Sequence, residues 1–201
     1  MKNRIRTKTA AALAAAAFAA AGLAAGAAPQ PAQAATITCG VWRWPVKTGS
    51  DATRSLVSTT VHSTTIGYLD GRTPPPSFGS YAHDHRIKSQ EFKTWQVRAT
   101  LVALREEDDG DIHVRLSSHG HRMIAEVPLG RCVSSASRWK AQIAAARHYL
   151  TSRYSIGLSD WTYVYRTVTV RGLGFFDAEH GVTGAAPNDI ELHPVIHIRF
   201  R

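Results

Sequence analysis

WQVRATLVALREEDDGDIHVRLSSHGHRMIAEV, residues 95–127, carries the pattern from which the fold follows. Apolar and polar residues alternate from Trp95 to Leu104, as in a strand with one buried face. Glu106-Glu-Asp-Asp-Gly110 is a turn, with Asp-Gly as a strong hairpin signal. Asp111 to Leu116 alternates again, and Ser117 to Gly120 turns a second time. Arg122 to Val127 is a third strand, stopped by Pro128. The stretch reads as a three-strand meander.

Downstream, Ser134-Ser-Ala-Ser137 offers several N-caps, and Trp139, Ile143, Ala146 and Leu150 recur at helical spacing up to about Ser152. Trp161 to Val170 is a fourth strand that continues past Gly172 and Gly174 to Phe176. After a Gly/Pro loop at 181–189, residues 190–200 form the last strand. Three strands, a helix and two strands is the order of an OB fold. The expectation is a mainly β protein: a five-stranded OB-like barrel with one helix between the third and fourth strands. A five-stranded open sheet with a helix across one face is the alternative.

Upstream, the β-branched run Ser55–Ile66 is a candidate strand, and Thr73-Pro-Pro-Pro76 begins a loop or linker. Lys2, Arg4, Arg6 and Lys8, an Ala-rich apolar run and Ala32-Gln33-Ala34 read as a secretory leader cleaved before Ala35. The expected organisation is a leader at 1–34, an N-terminal extension with a loop at 35–94 and a barrel domain at 95–201. The leader holds four of the 24 basic residues of this 201-residue chain and no acids. That leaves 20 basic against 15 acidic residues, a net charge of +5, compatible with a polyanionic partner. Cys39 and Cys132 are the two cysteines. In an oxidising compartment they are expected to form one disulfide tying the N-terminal segment to the turn before the helix.

Strand alternation sorts the remaining residues by face. In the last strand Ile190, Leu192, Ile196, Ile198 and Phe200 share the core face, whereas Glu191, His193, His197 and Arg199 share the other. Pro194 marks an edge position or a bulge there. In the second meander strand Ile112, Val114 and Leu116 face the core; Asp111, His113 and Arg115 face away. If these strand starts share a rim, Asp109, Asp111 and Glu191 gather with His113, His193, His180 and Asn188. Such carboxylates suit a divalent ion, Mg²⁺ or Ca²⁺, while a histidine-plus-carboxylate set could hold Zn²⁺. Glu106 to Asp108 are expected to be a solvated acidic turn.

Asp-Gly-Asp at 109–111 resembles the opening hairpin of staphylococcal-nuclease-like OB domains, which implies Asp111 as a metal carboxylate. Ile112 stands where that family has threonine, and Glu126-Val-Pro-Leu129 where it has Asp-Thr-Pro-Glu, so that Glu126 could stand in for one carboxylate. The mature chain is also similar to a family of small secreted bacterial proteins of uncertain function. The motifs behind this are Trp44-Pro-Val-Lys-Thr48, Glu107-Asp-Asp-Gly-Asp-Ile-His113, Met123-Ile-Ala-Glu-Val-Pro128, Gly174-Phe-Phe-Asp-Ala-Glu-His180 and Ala186-Pro-Asn-Asp-Ile-Glu-Leu-His-Pro194. His180, Asn188 and His193 give a partial likeness to His-Asn-His nucleases, in which the last histidine belongs on a helix and not on a strand.

The functional expectation is an exported, divalent-metal-dependent nuclease. Asp111, Glu191 and Asp109 would be metal carboxylates, and His113, His193, His180 and Asn188 catalytic groups. Arg115 and Arg122 would contact phosphate, with nucleic acid as the partner of a monomer free of membrane once the leader is cleaved. A non-catalytic OB-type binding module for oligonucleotide, oligosaccharide or protein is the alternative. N-terminal sequencing of the protein exported by an expressing bacterium should begin at Ala35; a mature chain that still begins at Met1 would remove the leader from this scheme.

Overall fold

The two turns of the meander fold the chain into antiparallel strands as their residues require. The computed structural model describes residues 37–40, 42–178 and 181–201. The leader expected over 1–34 and the candidate His180 lie outside the described residues. The strands are β1 (Ser58–Thr64), β2 (Lys93–Glu106), β3 (Ile112–Ser118), β4 (His121–Val127), β5 (Thr162–Phe176) and β6 (Ile190–Phe200). The helices are α1 (Trp44–Lys47), α2 (Ile66–Asp70) and α3 (Lys140–Thr151). None among the described residues is long and apolar enough to cross a membrane.

Between β3 and β4 the turn is two residues long. His119 and Gly120 both have positive φ (50° and 82°), which suits the twist of the flanking strands. Between β2 and β3, Gly110 (φ 85°) has no room for a side chain: a Cβ there would lie 2.8 Å from both Ile37 and Leu129.

β2 is long enough to pair with β5 along one edge and, along the other, with β1 at its start and β3 at its end. β3 pairs with β4, β4 meets β6 in a short parallel contact at Ala125 and Leu192, and β6 runs antiparallel to β5. The strand pairings thus form a ring, β2-β3-β4-β6-β5-β2, with β1 added beside β2 as a sixth strand. The protein is mainly β with a six-stranded mixed sheet, and its longest described helix falls between β4 and β5. The strand beyond the expected five comes from the β-branched run at 55–66, whose parallel pairing with β2 leaves no local signature.

Buried side chains from β2 to β6, among them Val97, Leu101, Val114, Met123, Val170, Leu192 and Val195, form one core. α3 adds Ile143, Ala146 and Leu150, the apolar stripe expected from spacing. Trp139, read as part of that stripe, is instead the residue preceding the helix. The serines before it do not cap it through their side chains. Ser137 Oγ donates to the Thr48 carbonyl (2.7 Å) and accepts from the Trp139 amide (3.3 Å).

Buried charges hold much of the N-terminal segment in place. Arg43 and Glu91 make a two-pronged pair at 2.8 and 2.9 Å, and both are buried. Arg43 also donates to the carbonyls of Ala82, His85 and Phe176, while Glu91 accepts from the amides of Ile87 and Phe176. Arg86 pairs with Asp51 at 3.0 Å and donates to the carbonyls of Glu91 and Val46. Apart from Arg86 Nε, which has no partner, these hydrogen bonds offset the desolvation of the four charged groups. The Cys39–Cys132 disulfide ties the same segment to the turn before α3, as expected, across a sequence separation of 93. In the chain-entropy account, closing a loop of that size contributes about 4–5 kcal/mol.

Arg43→Met leaves Glu91 buried without its cation and should cost about 3–5 kcal/mol, read as a lower urea midpoint. A loss under about 1 kcal/mol would show that the pair does not hold the segment.

Candidate metal centre

Ring closure sets the ends of β2, β4 and β5 beside the starts of β3 and β6. The register places His113 opposite Glu126, Ala125 opposite Leu192 and Phe175 opposite Glu191. Alternation sends Ile112, Val127, Ile190 and Leu192 into the core, so His113, Glu126 and Glu191 share the outer face. His193 joins them by alternation, two residues after Glu191. Between Leu192 and Val195, β6 carries two residues where β5 carries only Leu173, the bulge that Pro194 suggested. It turns Val195 into the core and leaves Ile196, expected there, only partly buried.

This face is turned away from the core, yet it is not solvated, because the N-terminal segment covers it. Asp111 and His193 are fully buried, and His113, Glu126 and Glu191 nearly so. Lys47 of α1 reaches Asp177 (3.5 Å) and Glu126 (4.0 Å). Phe175 packs edge-on against His193 with Arg43 over its ring.

His193 lies between two carboxylates, Nε2 at 3.1 Å from Asp111 Oδ2 and Nδ1 at 2.9 Å from Glu126 Oε2. Glu191 Oε2 is 4.0 Å from the same Nδ1. On the other side of Glu126, His113 Nδ1 is 3.3 Å from Oε1 and 3.1 Å from Glu107 Oε1. These separations are short, but they lack hydrogen-bond alignment. Both nitrogens of each imidazole, Asp111 Oδ2 and Glu191 Oε2 are shielded from water and have no hydrogen-bond partner. Ligand atoms sharing one ion at about 2.0–2.2 Å stand about 2.8–3.6 Å from each other. His113 Nδ1 meets that spacing to both Glu107 and Glu126, whereas His193 turns Nδ1 to Glu126 and Nε2 to Asp111, so an ion there would draw one carboxylate towards the nitrogen the other faces. Two groups could hold a metal ion: Glu107, His113 and Glu126, and Asp111, Glu126 and His193.

The electrostatics express an excess of acid in a dry place. Burial pushes Asp111 up to about 6, against the pull of His193. Burial, then the charges of Glu126 and Asp177, push Glu191 well above its ordinary value. Burial would also raise Glu126, but His193, His113 and Lys47 together hold it well below the usual carboxylate range. For His113 burial acts downward and is outweighed by Glu107 and Glu126, which lift it to about 9. Lys47 is held above its ordinary value, its burial overcome by Glu126, Asp177, Glu191 and Asp111.

Of the residues expected at a site, Asp111, His113, Glu191 and His193 come together. Asp109 stands at the edge, its Oδ1 accepting from the Asp111 amide (3.1 Å). Arg115 is close by: its guanidinium and that of Arg105 lie over Trp161 at 5.1 and 4.6 Å, and Trp161 is edge-on to His113. Two expected residues are not brought in. Asn188 donates to the carbonyls of Leu69 and Arg72 and accepts from the Ile190 amide, so it clasps a loop. Arg122, near the opposite end of β4, donates to the Ala185 carbonyl.

Glu107 is not the solvated turn residue expected, since it touches both His113 and Arg105. A pocket of about 500 Å³ opens over this turn, lined by Arg105, Glu106, Glu107, Asp108, Asp109 and Leu158. Lys47 and Asp177 were not assigned to the cluster. Glu126 was noted only as a stand-in carboxylate, although counting back from the two-residue His119–Gly120 turn sets it opposite His113.

No family model matches the chain, and no curated protein matches it. A similar solved structure is a Leishmania major Friedlin protein provisionally assigned as an aspartyl-tRNA synthetase, 14% identical with a TM-score of 0.41. The match covers 72% of this chain and 21% of that one, so the chain spans about a fifth of its length. A likeness of that extent decides neither fold nor chemistry.

The raised His113 yields a pH dependence whose sign is fixed. Its folded value, about 9, exceeds the ordinary 6.5, so its stabilisation is complete below pH 6.5 and is lost as pH rises through 9. With chelator present, urea-denaturation stability should fall by on the order of 3 kcal/mol across that window. His113→Gln should flatten the fall; an equally steep fall in the variant would assign it to other groups.

Proposed function

We propose that this protein is an exported, divalent-metal-dependent phosphodiesterase acting on nucleic acid, built on a five-stranded OB-type barrel to which β1 is added. The ring of five strands with α3 between the third and fourth supports the barrel reading. Export accords with the disulfide and the leader-like N-terminus. The observation that carries the function is the set of shielded carboxylate oxygens and imidazole nitrogens that face one another without hydrogen bonds.

A bound divalent ion supplies charge to a phosphoryl oxygen and lowers the pKa of water. The imidazoles favour Zn²⁺, whereas the carboxylates alone would suit Mg²⁺, Ca²⁺ or Mn²⁺. Asp111, Glu126 and His193 hold the ion, and Glu191 and Lys47 balance charge behind it. Glu107, the ligand-capable group nearest the pocket, pairs with His113 at 3.1 Å and joins the cluster to the open side. Arg105 and Arg115 present two guanidiniums to phosphate beside Trp161.

One observation favours the second reading, a non-catalytic binding module. Tyr163 and Tyr165 are 58% and 67% exposed and stack on each other at 5.9 Å on β5, a surface on which a base or sugar ring could stack. Incubating the protein with plasmid DNA and with labelled single-stranded DNA and RNA, in Mn²⁺, Zn²⁺, Mg²⁺ or EDTA, separates the two. Cleavage should require metal and fall at least about 100-fold in Glu126→Gln. Binding without cleavage under any metal would transfer the function to the tyrosine surface, and neither result would remove both readings.

A further inference from the structure

Glu126 is the sole residue common to the two carboxylate–imidazole groups, and each uses a different oxygen of it. Oε1 lies 3.3 Å from His113 Nδ1, beside Glu107. Oε2 lies 2.9 Å from His193 Nδ1, with Glu191 4.0 Å from the same nitrogen and Asp111 3.1 Å from Nε2 of the same ring. A carboxylate with one oxygen in each of two ligand sets has the form of a bridge between two cations.

Charge points the same way. Glu107, Asp111, Glu126, Asp177 and Glu191 converge here, and among the described residues Lys47 is the lysine or arginine in ion-pair contact with Glu126 and Asp177. Lys47, and Arg105 at 3.2 Å from Glu107, stand among these carboxylates, and a concentration of acid in so dry a place is one that a bound cation stabilises. The imidazole nitrogens are the right donors for metal, and all four are shielded from water with no aligned hydrogen bond. Two ions would use an atom of Glu107, His113, Glu126, Asp111 and His193.

We propose that the protein binds two divalent transition-metal ions bridged by Glu126. One is held by Glu107, His113 and Glu126 Oε1, the other by Asp111, His193 and Glu126 Oε2. This rests on reading the cluster as a metal centre and adds its nuclearity and the bridging role of Glu126. The first ion lies on the pocket side, through Glu107. The second lies deeper, behind fully buried Asp111 and His193. Two-ion centres clamp both the attacking and the leaving oxygen of a phosphodiester, so the arrangement fits that substrate class.

The test is to strip the full exported chain with chelator, add back Mn²⁺ or Zn²⁺, remove excess by gel filtration and count metal per chain. Electron paramagnetic resonance of the Mn²⁺ form is recorded in parallel. Two ions per chain with an exchange-coupled spectrum are expected. Glu107→Gln and Asp111→Asn should each retain one ion and lose the coupling, and Glu126→Gln should show no coupling at any loading. Circular dichroism checks that each variant is folded, and Glu107→Gln, the most exposed change, keeps the test decisive if the buried ones misfold.

One ion per chain with an uncoupled spectrum would overturn the bridge and leave a single-metal centre standing. No retained metal would overturn the metal reading with it. Two ions still coupled in Glu107→Gln would overturn the assignment of the first site.

Discussion

The pairing of β2 with β5 is the constraint on which the rest depends. Residues 94–104 bind a strand that begins at Thr162, and this long-range contact closes the ring. Without it the meander and the last two strands would be joined only through the short β4–β6 contact. With it, the starts of β3 and β6 come to one end of the ring, and Asp111 meets His193 at 3.1 Å. Such a closure costs loop entropy before any contact repays it, and the common apolar core provides that return.

Closure alone would leave the acidic and imidazole groups in water, where ion contacts count for little. The N-terminal segment changes their dielectric surroundings. It is clamped by Arg43–Glu91 and Arg86–Asp51 and tied by the disulfide. It brings Lys47 in and removes solvent from Asp111, His193 and Glu191. Shielded charges interact strongly, and the same shielding makes any unpartnered atom costly. The site and the clamp are therefore one device: the clamp holds the cover, and the cover makes the cluster chemically distinctive.

Much of this was legible from local chemistry. Asp109-Gly110 and His119-Gly120 marked both hairpins, alternation marked the strands, and helical spacing marked α3. Pro194 marked the bulge that turns Val195 into the core. The register of a two-residue turn even pairs His113 with Glu126, a deduction open to simple counting. Other features had no local trace. Lys47 sits in a Trp-Pro-Val-Lys run that says nothing of distant acids, and Glu107 looks like any acidic turn residue. Asn188 and Arg122 have the side chains of a site, but carbonyl partners in distant loops claim them.

By itself the sequence determined the order of β2 to β6 with α3 between β4 and β5, and where the two hairpins turn. It determined too the core face of β3 and of the first residues of β6. Those properties arise from contacts a few residues apart, where alternation and turn stereochemistry suffice. Only the tertiary structure decided that the ring closes, that β1 joins it, and that the outer face at one end is roofed over. It also decided which of many acids and histidines share that covered space. Burial and mutual distance depend on segments far apart in the chain, and no local pattern encodes the solvent they exclude.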